Sequence, residues 1–276
     1  MTLGIDIGGT TICLGVIENG KVLRKETVPS FALGMTMEQT LDYLSSHIAP
    51  IVGKENVEKI GIGVPCVVDT VKGIVYDAVN IPSWNEVALK DYLEGKFHCP
   101  VAINNDANCF AMGAYGMFPE DSKPEVLVGV TLGTGVGIGI IDRGRLFNGA
   151  NCGAGELGSM PFKEGILEEI CSRMFFVEAG IGCKEAAEAA GRNDPEALAL
   201  FEKFGRNLGE LLCIVMYAYD PSHIVLGGGI AYSYPYFRAA METYIRENFP
   251  YTKIAEKLCI EVFTGNDIPL IGASLI

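Results

Sequence analysis

Residues 3–11 read Leu3-Gly4-Ile5-Asp6-Ile7-Gly8-Gly9-Thr10-Thr11. The apolar run Leu3–Ile7 is strand-like and is ended by a glycine-threonine turn. Two more apolar runs follow, Ile12–Ile17 and Val22–Val28, with Asn19-Gly20 between them. Asn-Gly between such runs is a strong hairpin signal, because a type I′ turn needs positive φ at both central residues. Three antiparallel strands are therefore expected, with one carboxylate, Asp6, inside the first. The same pattern returns downstream. Val126–Thr131 reads as a strand, Gly133-Thr134-Gly135 as a turn and Val136–Ile141 as a strand, closed by the turn Asp142–Arg145. The expected architecture is α/β: two related halves with a cleft between them.

Between and after these repeats the pattern alternates. Met37–Val52, Glu86–Phe97 and Ala107–Tyr115 read as helices, and Ile60–Val64 and Val101–Ile103 as strands. Pro119–Pro124 is polar and turn-rich, which suggests a junction between an N-terminal domain (residues 1–118) and a larger C-terminal one (119–276) whose last segment packs back on the first. Asp194-Pro195 opens the longest helix, with Asp as N-cap and Pro at the first helical position; Pro221 stops it after Tyr219. Ser222–Leu226 reads as a strand running into Gly227-Gly228-Gly229, and Tyr236–Phe249 as a helix.

Composition narrows the function. The 276 residues carry 21 basic and 34 acidic side chains, a net charge of −13, and show no Lys/Arg cluster, so the electrostatic footprint of a nucleic-acid binder is missing. The start MTLGIDIGG has no basic segment and reaches Asp6 too soon for a signal peptide, and no uncharged run is long enough for a spanning helix. A soluble, cytoplasmic protein is expected. Nine scattered cysteines without a CxxC pair read as thiols of a reducing compartment rather than as disulfides or a zinc site. Glycine is abundant, with 34 residues against an average share of about 7%.

Much of that glycine lies in turns after strands, at Gly8-Gly9, Gly133–Gly139 and Gly227–Gly229. Bare backbone lets amide groups approach an anion, so three such turns, two with threonines and one with Asp6 beside it, point to phosphate. The two familiar nucleotide loops do not fit. GxxxxGK[ST] does not occur, and Gly133-Thr134-Gly135-Val136-Gly137 has the wrong spacing for GxGxxG and runs into a strand.

The set LGIDIGGTT, GIGVPCVVD, NIPSW, INNDAN, TLGTGVGIG, GANCGAGELG and IVLGGGIA, in this order along nearly the whole chain, resembles the ROK family of the sugar-kinase, heat-shock-protein and actin ATPase superfamily. That resemblance implies two ribonuclease H-like domains, ATP with Mg²⁺, a free hexose phosphorylated at its 6-hydroxyl, and a homodimer. It gives Asp106 the place of the catalytic base; read from the residues alone, Asp106 could equally be a plain N-cap. A helix N-terminus there would keep it ionised. Asn80, Asn105, Glu156 and Glu168 take the places of sugar ligands, although a solvated loop glutamate at 156 and a helix-surface glutamate at 168 are the bland alternatives. Asp6 matches the aspartate that acts near Mg²⁺ through water. Gly8, Gly9, Thr10, Thr11, Gly133, Thr134 and Gly135 would meet the phosphates, and Gly228 and Gly229 the adenosine. Trp84, the only tryptophan, either lines the sugar or packs in the core.

The chain also departs from the family. Many relatives carry a histidine after Glu-x-Gly and then a cysteine-rich zinc loop; here the position is Ser159, the stretch to Glu168 is short, and no zinc is expected. Cys66 stands where relatives commonly have glycine, which would reshape the sugar pocket. No helix-turn-helix precedes Leu3, which speaks against the repressor branch. The competing expectation is a sugar-sensing regulatory protein that keeps the fold without the chemistry.

Overall fold

The computed structural model describes residues 1–78 and 80–276. Its chain forms two compact units, one gathering residues 1–122, 146–154 and 266–276, the other residues 123–145 and 155–265. The first unit holds β1 (Thr2–Ile7), β2 (Thr11–Glu18), β3 (Lys21–Pro29), α1 (Met37–Val52), β4 (Lys59–Val64), the short strands β5 (Val68–Asp69), β6 (Ile74–Tyr76) and β7 (Glu86–Val87), then α2 (Leu89–Phe97), β8 (Val101–Asn105) and α3 (Asp106–Gly116). The second holds β9 (Val126–Leu132), β10 (Val136–Asp142), β11 (Arg145–Leu146, where the chain passes back), β12 (Pro161–Phe162), β13 (Gly165–Ile166), α4 (Leu167–Cys171), α5 (Arg173–Glu178), α6 (Cys183–Gly191), α7 (Pro195–Tyr219), β14 (His223–Gly227), α8 (Tyr234–Asn248), α9 (Thr252–Ala255) and β15 (Cys259–Val262). The last helix, α10 (Asp267–Leu275), belongs to the first unit.

The two main sheets have the same order, β3-β2-β1-β4-β8 and β11-β10-β9-β14-β15. In the first, β1 runs antiparallel to β2 and parallel to β4, which runs parallel to β8. In the second, β9 runs antiparallel to β10 and parallel to β14, which runs parallel to β15. The duplication expected from the two strand–Gly/Thr turn–strand repeats is thus present at the level of topology. Both hairpins turn as their sequences require, with positive φ at Asn19 and Gly20 and again at Arg143 and Gly144.

Alternation along β1 and β4 sets the layers of the first unit. Leu3, Ile5 and Ile7 of β1 and Ile60, Ile62 and Val64 of β4 are fully buried, in one core with Leu44 and Ile48 of α1 and Leu93 of α2. Gly4 and Gly61 point the other way, where the backbone of α10 lies directly on the sheet: a Cβ on Gly61 would stand 1.6 Å from the carbonyl oxygen of Ala273. Asp6 shares that second face with Gly4 by the two-residue period of a strand.

Most sequence expectations for single elements hold, including α1 over Met37–Val52 and the Asp194-capped, Pro195-led helix ending at Tyr219. Helix α2 is an exception, starting at Leu89 rather than Glu86. Val87, β-branched and buried, pairs with Val75 in the small sheet, so tertiary pairing extends the backbone there. Trp84 is a core residue, fully buried against Phe31 with its indole N–H donated to Thr40 Oγ1 at 2.7 Å.

Gly61→Ala should lower the urea midpoint, by about 1–3 kcal/mol of stability for an overpacked site. Gly95→Ala, in α2 with nothing within 4 Å of the new Cβ, should raise it by about 0.5–1 kcal/mol. Equal effects of the two would contradict the direct docking of α10 on the sheet.

Candidate active site

In the first unit the parallel strands end side by side. Register places Asp6 opposite Gly63, and Gly63 and Val64 opposite Asn104 and Asn105. Carboxyl ends of neighbouring parallel strands are where open α/β sheets bind ligands. Asn105 caps α3, its Oδ1 accepting from the N–H groups of Ala107 at 2.9 Å and Asn108 at 3.4 Å, while its Nδ2 donates to the carbonyl of Cys66 at 3.3 Å. The capping role considered for Asp106 therefore belongs to Asn105, because the helix begins one residue earlier than the apolar pattern suggests. Asp106 is the first helical residue, half-buried, with Oδ1 accepting from Ala107 N–H at 2.8 Å. The first turn of α3 sits close on β4: a Cβ on Gly63 would lie 3.4 Å from Asp106 Cα and 3.2 Å from Cys109 Sγ.

The turn after β1 is tied down on its own side. Gly8 N–H donates to Thr11 O at 2.9 Å, and Ser30 Oγ donates to Gly8 O at 2.7 Å. Gly9, Thr10 and Thr11 are exposed, and the Asn80 side chain lies next to Gly9, 3.6 Å from where a Cβ would stand. Burial pushes the Asp6 carboxyl from the usual 3.8 up to about 6. Among the described residues no three His, Cys, Asp or Glu side chains cluster closely enough to hold a metal directly.

The second unit builds a matching pair of turns. Gly133-Thr134-Gly135 links β9 to β10, with Gly133 N–H donating to Gly135 O at 3.0 Å. Next to it, at the end of parallel β14, Gly228 has φ +81°, and a Cβ there would stand 2.3 Å from Leu132 O. Gly133 and Gly229 have nothing within 4 Å of a Cβ position, so their backbone is open on that flank. Glu168 reaches over the first turn: its Oε2 accepts from Val136 N–H at 2.9 Å and occupies the space a Cβ on Gly135 would need, 2.3 Å away. It is therefore no solvated surface glutamate. Glu156 starts a short 3-10 turn, Glu156–Ser159, where it is exposed, as a loop glutamate would be; its carboxyl is nevertheless raised, first by local desolvation and then by the charge of Glu168. Ser159 is exposed at the end of that turn.

The short stretch from Met160 to Glu168 is a hairpin. β12 pairs antiparallel with β13, Lys163 turns with φ +53°, and Lys163 Nζ lies 3.4 Å from Glu210 Oε2 of α7. Leu167 N–H then closes on Met160 O at 3.2 Å, which delivers Glu168 to the glycine turn.

A buried amide cluster sits at the start of α3, on the residues to either side of Asp106 in the chain. Asn104 Oδ1 accepts from Asn108 Nδ2 at 2.9 Å and from Cys152 Sγ at 3.3 Å. Asn148 Oδ1 accepts from Asn104 Nδ2 at 3.0 Å and Asn108 Nδ2 at 3.3 Å. Asn104 and Asn108 are visible in the string INNDAN, but Asn148 and Cys152 lie 40 and 44 residues beyond Asn108, with no local signal linking them.

Bare-backbone turns at the ends of parallel strands, in two sheets of one topology, meet a match in known proteins. The model of the ROK family covers residues 2–276. The chain belongs to the ROK family. It is 28% identical to a glucokinase of Halalkalibacterium halodurans, over 98% of this chain and 92% of that one. It is also 28% identical to an N-acetyl-D-glucosamine kinase of Escherichia coli, over 91% and 89%. Among solved structures, a ROK family glucokinase from Streptomyces griseus in complex with glucose and AMPPNP matches with TM-score 0.82 and 27% identity, covering 99% of this chain and 97% of that one. The duplicated sheets are thus the actin-like ATPase fold, and this ROK protein is a sugar kinase that uses ATP. None of its described helices is long and apolar enough to cross a membrane.

Raised by burial, the Asp6 carboxyl stays protonated in the folded chain at pH values where the unfolded chain has ionised. Stability therefore falls as pH rises from about 4 through about 6. In metal- and nucleotide-free protein, Asp6→Asn should remove that fall. Relative to the wild type, the variant should gain about 3 kcal/mol between pH 4 and pH 8, read from urea midpoints. Parallel pH profiles would show that Asp6 is not desolvated.

Proposed function

We propose that this ROK protein transfers the γ-phosphoryl group of ATP to the 6-hydroxyl of a free hexose, with Asp106 as general base. The observation that carries this reading is the shared level at which β1, β4 and β8 end, which gathers Asp6, Asn105 and Asp106 at one edge of a sheet. Phosphoryl transfer to an alcohol is chiefly positioning and charge stabilisation, plus one carboxylate to take the hydroxyl proton. Asp106 suits that last role because Asn105 does the helix capping.

Asn80, Asn105, Glu156 and Glu168 hold the sugar hydroxyls. Asn105 has both ends of its amide engaged with backbone, so it offers the second Nδ2 hydrogen. Glu168 offers Oε1, since Oε2 accepts from Val136. Glu156 and Glu168 carry like charges close enough to affect each other, and ionised carboxylates accept hydroxyl donors in strong, charge-assisted hydrogen bonds.

The donor set fits a nucleotide: open backbone at Gly133 and Gly229, exposed hydroxyls at Thr10, Thr11 and Thr134, and a Gly228 turn too tight for any side chain. Gly8, Gly9 and Gly135 complete the phosphate turns, and Gly228 and Gly229 lie against the adenosine. Asp6, a carboxylate with no metal-holding cluster around it among the described residues, suits a Mg²⁺ ion that arrives on ATP and keeps its waters. When bound, Mg²⁺ supplies positive charge to the transferring phosphoryl group. The N-terminal domain then carries sugar and phosphate binding, and the C-terminal domain nucleotide binding and the contacts of a cytoplasmic homodimer.

Asp106→Asn should lower kcat by about 10²–10⁴-fold in a coupled ADP-release assay. Hexose binding measured by calorimetry should persist. The assay runs over glucose, allose, mannose, fructose and an N-acetylhexosamine, and unchanged turnover in the variant removes Asp106 as the base.

A further inference from the structure

The amide cluster at the start of α3 has a property that packing alone does not explain. Asn104 and Asn108 are 4% and 1% exposed, and Asn108 Oδ1 has no hydrogen-bond partner among the described residues. A buried carbonyl oxygen without a donor destabilises a fold, and turning the amide over would make matters worse. Asn108 Nδ2 lies between two acceptors, Asn104 Oδ1 at 2.9 Å and Asn148 Oδ1 at 3.3 Å, and a flip would set oxygen against oxygen on both sides. The orientation is therefore forced by Asn104 and Asn148 together.

Each partner sits where it controls α3. Asn104 is the residue before the cap, and its Oδ1 also accepts from Asn105 N–H at 2.8 Å. Asn108 is the third residue of the helix, so its side chain fixes the rotation of the turn that bears Asp106. Asn148 comes from residues 146–154, which return to the first unit between two stretches of the second. Its single Oδ1 receives both amides, and its own carbonyl accepts from Ala154 N–H at 3.2 Å, which holds the returning loop in shape. Cys152, at φ +58°, adds a thiol donor to Asn104 from the same loop.

We propose that Asn148 is a positioning residue for phosphoryl transfer: its side-chain oxygen, shared by Asn104 and Asn108, locks the first turn of α3 and so fixes the direction of the Asp106 carboxylate. This rests on Asp106 being the general base. Asn148 touches no reacting group, and its effect falls on kcat rather than on sugar affinity. A misplacement of a base by a fraction of an ångström to one ångström lowers turnover by on the order of 10–100-fold.

The test compares three variants of the full chain with wild type, using the hexose that turns over best. Asn148→Leu keeps the shape and loses the acceptor. It should lower kcat by about 10–100-fold, with hexose and ATP KM unchanged and a melt that stays cooperative but moves to a somewhat lower temperature, because the buried Asn104 Nδ2 loses its acceptor. Asn148→Asp keeps an acceptor for both amides and should recover most of the lost kcat. If Asn148→Leu does not give folded protein, Asn148→Ser replaces it under the same criteria, because its short hydroxyl cannot span to both amides. Wild-type kcat in the acceptor-less variant overturns the proposal, as does equal loss in it and in Asn148→Asp. Asp106→Asn, run in parallel, separates the two levels. If Asp106→Asn is inactive and Asn148→Leu is fully active, only the positioning role fails. If Asp106→Asn is active, the general-base reading fails and takes this role with it.

Discussion

The structure depends on one constraint: parallel strands in a sheet must end level before bare backbone and short polar side chains can meet one ligand. In the first unit the pairing of Asp6 with Gly63, and of Gly63 with Asn104, sets that level. A slip of one residue would turn Asp6 into the core and Leu3, Ile5 and Ile7 out of it, so the apolar face of β1 enforces the functional register. The same device serves the second unit, where Gly227 of β14 stands opposite Thr131 of β9 and both strands run into glycine turns.

Glycine acts here in two ways. At Gly61 it admits the backbone of α10 to the sheet, and at Gly63 it admits the first turn of α3. Both are packing roles, and the second brings the helix that bears Asp106 close on β4. At Gly133 and Gly229, by contrast, the backbone is left open on one flank, which is the condition for an anion to approach. An excess of glycine in the composition thus has separate physical causes in different places.

Much of this was legible in the sequence. The Asn19-Gly20 hairpin, the two strand–turn–strand repeats and the Asp194-Pro195 helix start are local signals, and each is found where the pattern puts it. Long-range effects were not legible. Val87 is drawn into a strand by Val75, and Trp84 finds Thr40 across 44 residues, which settles it as core. The cap on α3 passes from Asp106 to Asn105 because Asn105 reaches two amides, a matter of one residue that periodicity cannot resolve. The place of Glu168 is set by its contact with Val136, made across a hairpin that no local pattern encodes. Asn148 carried no signal, since its meaning lies wholly in partners about forty residues away.

In this mechanism ATP's terminal phosphoryl group ends on a hexose oxygen. Phosphorus-31 NMR of wild-type protein with ATP, Mg²⁺ and each hexose of the panel follows that group. A sugar 6-phosphate ester should grow in step with ADP and fail to form when the 6-deoxy sugar is supplied. Inorganic phosphate as the sole new product, or an ester that still forms on the 6-deoxy sugar, would contradict it.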